Sequence, residues 1–250
     1  MKKILSIAAF LLMEIVGVTV HAQQPARIAG EGSYLNIRQQ PSSDSKIIGT
    51  FKAGELFYVE AEEDSWRKAT GIYNKEGFVY SPRIELIDSL PDAQLQNLFN
   101  HVFENEKELA ENFNATVNKF GISGKNFHDK ADSLNCLSAR KKLEQFGDKK
   151  YLPLVSIYPN YFYRTADTVT LQNLFDAVWA DIGSADETPG YSLGQCFICD
   201  SALMKQQISY LPAEERKHIQ TQDEFGLYNV YDVETYSTSA NAEFNAFLLE

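Results

Sequence analysis

Cys196-Phe197-Ile198-Cys199 is the sharpest local arrangement in this 250-residue chain that could do chemistry. A C-x-x-C pair serves as a redox couple, as half of a zinc site or as a small structural disulfide. Thioredoxin-type use requires a preceding βαβ unit, whereas the residues before Cys196 read as a Gly/Pro/Ser/Asp loop after a helical pattern. A zinc site would have to recruit Cys136 and a histidine, which are scattered without ligand spacing. A structural disulfide, Cys196 with Cys199 or Cys136 with either, therefore leads, followed by inert buried thiols. Helical residues three apart hold their Cβ atoms about 5–6 Å apart, too far for a disulfide without distortion, and Gly194 gives room for it.

The remaining titratable groups do not assemble a catalytic set. Acid pairs occur at Asp186-Glu187 and Asp223-Glu224, but glycoside hydrolysis needs carboxylates facing one another across a cleft, and an acidic solvated surface accounts for them. His101 falls on a helix flank, His128 in a loop and His218 in the charged helix that includes Glu214-Glu215-Arg216-Lys217. Neither a cofactor nor a metal is implied.

The elements that would position these residues fall into two parts. From Ser33 to Ile87 short β segments alternate with turn clusters: Tyr34–Arg38, Ile47–Phe51, Leu56–Ala61, Trp66–Ala69 and Gly77–Tyr80. Five strands at this spacing predict a small barrel, with Leu35, Ile37, Ile48, Leu56, Val59 and Val79 inside. Tyr34, Tyr58, Trp66, Tyr73 and Tyr80 are amphipathic aromatics suited to a shallow groove, although Tyr58 and Trp66 serve equally well to close the barrel. Arg38 offers a guanidinium for a carboxylate, or a solvated strand charge.

The run L-N-I-R-x-x-P-S-x-x-S-x-I-I-G-x-F-K-x-G-E, with S-W-R-K-A and E-G-F-V-Y after it, resembles the bacterial SH3 family over residues 27–88. The resemblance implies a non-catalytic module, frequent on exported proteins, that recognises peptide or peptidoglycan components. The connection Thr70–Glu76 is longer than the family pattern. Proteins with this unit often carry a cell-wall cysteine peptidase whose nucleophile opens a helix in an Asp-Cys-Ser-Gly segment. Asn135-Cys136-Leu137-Ser138 is the nearest approach, and it lacks the Asp and the Gly.

Residues 89–250 predict a mainly helical domain with minor β content. Leu95, Leu98, Phe99, Val102, Phe103, Leu109, Phe113, Val117 and Phe120 mark one long amphipathic helix; a shorter one spans 132–146, and a third runs from Thr168 to Ile182. Residues 151–163, with Pro153 and Pro159, read as extended chain, and 227–237 as a strand by its Tyr/Val alternation. Leu95-Gln96-Asn97-Leu98-Phe99 returns as Leu171-Gln172-Asn173-Leu174-Phe175, with echoes of Cys136-Leu137-Ser138-Ala139 at Cys199 and of Tyr151-Leu152-Pro153 at Tyr210. These suggest an internal duplication, with repeats at about 89–165 and 166–240.

Residues 1–22 combine Lys2 and Lys3, an apolar run from Ile4 to Met13 and the ending Val20-His21-Ala22, the pattern of a cleavable secretory signal. Glu14 interrupts the run before it reaches membrane-spanning length, so an exported protein, periplasmic or secreted and without a stable membrane anchor, is expected. The formal charge of −11 disfavours nucleic acid and anionic lipid. The sequence points to an exported, non-catalytic binding protein whose partner is a peptide, a peptidoglycan fragment or an exported protein. The competing reading is a divergent cell-wall cysteine hydrolase acting through Cys136.

Overall fold

The computed structural model describes residues 23–30, 34–71, 75–120, 130–181 and 184–230. The predicted signal segment, Tyr73, His128 and residues 231–250 lie outside them.

Seven strands form one antiparallel sheet: β1 Gln24–Ile28, β2 Tyr34–Arg38, β3 Ile47–Lys52, β4 Phe57–Glu63, β5 Trp66–Gly71, β6 Lys75–Tyr80 and β7 Ile84–Leu86, in the order β3-β2-β6-β5-β4-β1-β7. All five predicted strands are present. The sheet is longer than predicted at both ends of the chain segment, because β1 starts ahead of residue 27 and pairs with both β4 and β7. No ladder joins β3 to β7 among the described residues, so the unit is a curled half-barrel rather than a closed one. The β4–β5 hairpin turns on Asp64 and Ser65, both at positive φ (47° and 66°), the pattern of a two-residue turn whose twist matches the strands it joins. Thr70 and Glu76 are paired across β5 and β6, so the connection that departs from the family pattern is largely ladder.

The inward face carries Leu35, Ile37, Val59 and Val79, as the alternation requires, with Phe51 stacked on Phe57 at 4.1 Å. Two expected core residues are elsewhere. Ile48 is 48% exposed on edge strand β3. Leu56, which precedes β4, is buried but joins the core of the helical part together with Ile87 and Leu90. Gly77 has no substitute, since a Cβ there would lie 2.6 Å from Ile37 Cγ2 and 2.7 Å from the Arg38 carbonyl oxygen.

The helical part comprises α1 Asp92–Phe120, α2 Lys130–Phe146, a wide turn at Gly147–Tyr151, α3 Leu152–Val155, α4 Tyr158–Thr165, α5 Thr168–Ala180, α6 Thr188–Cys199, α7 Ser201–Ser209 and α8 Ala213–Val230. Residues 151–163 are therefore helical rather than extended. Pro153 and Pro159 fall in the first turns of α3 and α4, where the missing N–H costs nothing. Residues 227–230 close α8, which corrects the first part of the strand expected over 227–237; residues 231–237 lie outside the described residues. The α1 stripe buries Leu95, Phe99, Val102 and Phe103, and Phe99 lies 5.3 Å from Tyr158 and 5.1 Å from Tyr161, ring to ring. Helices α6 and α8 cross at Gly190, Gly194 and Gly226, where a Cβ on Gly226 would overlap the Gly190 carbonyl.

The recurrent Leu-Gln-Asn-Leu-Phe segments open α1 and α5. These helices run in the same direction side by side, as the contacts Asn100–Asn173, Lys107–Asp176 and Asn114–Ala180 progress along both. The other echoes occupy dissimilar places. Cys136 is inside α2 but Cys199 ends α6, and Tyr151 ends the wide turn but Tyr210 follows α7. A duplication is not shown.

Candidate functional site

The outward residues of the central strands make the first candidate site. Because side chains alternate across a strand, Trp66 and Lys68 on β5 share a face with Phe78 and Tyr80 on β6, and the register pairs Trp66 with Tyr80 and Lys68 with Phe78. The Trp66 and Tyr80 rings meet at 5.4 Å with an interplanar angle of 57°. Tyr80 is 43% exposed and Trp66 half-buried. Beside Trp66 a groove of about 170 Å³ is lined by Pro41, Glu60, Glu63, Lys68 and Phe78. Lys68 is held between Glu76 at 2.6 Å and Glu60 at 3.6 Å.

Arg38 holds this site in shape. Its Nη1 donates to the Ser45 carbonyl at 2.6 Å, which pins the loop that carries Pro41 to the groove. The guanidinium is thus bound to backbone rather than simply solvated. Tyr34 is exposed at the other end of β2 and does not line the groove. Tyr58, half-buried, shares a hydrogen bond with Ser156 of the helical part, and burial raises its hydroxyl pKa above the usual tyrosine range. Of the predicted residues, the fold thus joins Trp66 to Tyr80, with Arg38 supporting. The groove also uses Phe78, Glu60, Glu63 and Pro41, which carry no site signal in the sequence beyond Phe78 lying two residues from Tyr80 in the same outward phase.

The thiols are dispersed. Cys136, Cys196 and Cys199 are free, Cys196 fully buried and Cys199 exposed at the end of α6. The regular helix keeps the C-x-x-C pair at the i, i+3 separation unsuited to a disulfide. Cys136 lies within α2, past its first turn, so it lacks the helix N-terminus that would activate a nucleophile. His101 contacts Asn105 on its own helix. His218 packs 5.8 Å from Trp179, its pKa lowered by burial against the opposing effect of a hydrogen bond to the Val178 backbone. Asp223, read from sequence as a surface acid, is fully buried on α8. Neither of its carboxyl oxygens has a hydrogen-bond partner, and burial pushes its pKa well above the usual aspartate range.

Residues 31–85 match the family profile of the bacterial SH3 domain. No curated protein matches the chain. No helix among the described residues is long and apolar enough to cross a membrane.

Proposed function

We propose that this is an exported binding protein that docks a peptide or cell-wall component on the outer face of its bacterial SH3 domain. Trp66 and Tyr80 form the platform, and Glu60 and Glu63 receive the ligand's amino or amide groups. The observation that carries this reading is the Trp66–Tyr80 ring pair, solvent-facing beside a groove within the matched segment. Rigid rings supply apolar contact area at low entropic cost. The acidic rim and the net charge of −11 favour a neutral or cationic ligand. Residues 1–22, with their basic start and apolar run, direct export.

The test is co-sedimentation of the purified protein with peptidoglycan, with the supernatant examined for released fragments. Retention that falls about tenfold or more on Trp66→Ala, without fragment release, is expected. Retention unchanged by Trp66→Ala would remove the groove from the reading. Fragment release abolished by Cys136→Ala would replace binding with hydrolysis.

A further inference from the structure

Between α1, α2, the wide turn and the end of α5 lies a cavity of about 710 Å³, within the size range of small-molecule sites. Phe113, Leu143 and Leu152 supply apolar wall. Two polar side chains reach it unpartnered: Glu106, 2% exposed, whose Oε2 has no hydrogen-bond partner, and Tyr151, 1% exposed, whose hydroxyl has none. Buried groups of this kind are rare because a hydrogen bond left unmade away from water is costly, and two converging on one cavity indicate what the cavity is built to receive.

The charge around them is mainly negative. Asp148 on the wide turn, Asp181 after α5 and Asp186 before α6 line the same space. The one cation among the lining residues named for it, Arg140, is held by Glu144 at 2.7 Å. Burial, with Asp181 and Asp148 adding to it, raises Glu106 to about 8. Burial raises Asp181 to about 6, a hydrogen bond from Ser184 opposing and Asp186 reinforcing. Glu106 is thereby held protonated near neutral pH, and a cation brought beside it would restore its charge. A hard metal ion does not fit, because no three acidic, histidine or cysteine groups among the described residues are close enough to coordinate one.

We propose that this cavity binds a small organic ammonium ion, with its cationic head at Glu106, Asp181 and the Tyr151 hydroxyl and its apolar body against Phe113, Leu143 and Leu152. The site is separate from the SH3 groove and does not depend on the function proposed for it.

Calorimetric titration of the purified protein with phenethylamine, phenethyl alcohol and phenylacetate at neutral pH tests this. The amine binds about tenfold or more tighter than the alcohol, and phenylacetate does not bind. Repeating the titration in buffers of different ionisation enthalpy shows about one proton released per amine bound. Glu106→Gln weakens amine binding about tenfold or more and abolishes the proton release, whereas Trp66→Ala alters neither. If Glu106→Gln does not fold, Asp181→Asn replaces it, with the same loss of affinity expected. No binding by the amine, equal binding of amine and alcohol, or affinity unaffected by these carboxylate substitutions would overturn the proposal.

Discussion

Gln96 Nε2 donates to Asp167 Oδ2 at 2.7 Å, tying the start of α1 to the N-cap of α5 across 71 residues of chain. The same carboxylate accepts from the Tyr161 hydroxyl at 2.7 Å, from the Thr170 hydroxyl at 2.6 Å and from the backbone N–H groups of Val169 and Thr170. One side chain therefore caps α5 and joins three helices.

Burial alone would raise the Asp167 carboxyl, but hydrogen bonds from Thr170, Tyr161 and Gln96 outweigh it and hold the pKa below the usual aspartate range. A depressed carboxylate stabilises the fold above its unfolded pKa and loses that contribution as pH falls through the folded value. Asp167→Ala should cost about 1–2 kcal/mol at neutral pH, and less at about pH 3, in urea melts. An equal loss at both would contradict the assignment.

Glu106 has the opposite sign. Its folded pKa of about 8 means that the native state binds more protons than the unfolded chain between the ordinary glutamate range and that value, so stability falls as pH rises through this window. Glu106→Gln should flatten that decline, and denaturant midpoints at about pH 5 and about pH 8 measure it. A mutant with the full wild-type slope would show that Glu106 is not its source.

At the α6–α8 crossing, Gly226→Ala must separate the two backbones. We expect a loss of about 1–3 kcal/mol or more, read as a lower melting temperature. A melting temperature within about one degree of wild type would mean that the helices do not approach as closely as described.

The cysteines differ in access. Iodoacetamide should label Cys199 in the native protein, slowly, because burial and the neighbouring Asp200 raise its thiol pKa. Cys196, fully buried, should label only after unfolding. Mass spectrometry of labelled peptides with and without reductant decides this, and a reductant-dependent gain at Cys199 would restore the disulfide.

Arg38→Ala should release the loop bearing Pro41 and weaken peptidoglycan retention by less than Trp66→Ala does, because it removes a support rather than a contact. A larger loss than that of Trp66→Ala would place the guanidinium itself on the ligand.

The strands were legible because one of their faces is buried, so that Leu35, Ile37, Val59 and Val79 fall on alternate positions. The α1 stripe was legible for the same reason at helical period. Sequence pattern and structure diverge where one residue type has two structural uses. Pro153 and Pro159 break helices internally but begin them at the first turn. Tyr228 and Val230 alternate like strand residues yet end α8 beside the Gly226 crossing. The buried acids of the helical part are not readily legible in the sequence, because charged side chains ordinarily face solvent. Glu106 falls in phase with Phe99, Val102, Phe103 and Ala110, and Asp223 in phase with Ile219 and Leu227. An acid in the apolar phase of a helix was the available signal, whereas its partners on other elements were fixed only by tertiary packing.

Leu56, Ile87 and Leu90 belong to the SH3 segment and its exit but are buried in the helical core, and Glu55 adds an ion pair with Lys149 at 3.8 Å. The two parts should consequently melt as one cooperative unit, which a single calorimetric transition would show. A ligand bound by the SH3 part would then add its binding energy to the resistance of the helices to unfolding, and a cut near residue 88 would expose Leu56, Ile87 and Leu90 as a raw apolar scar.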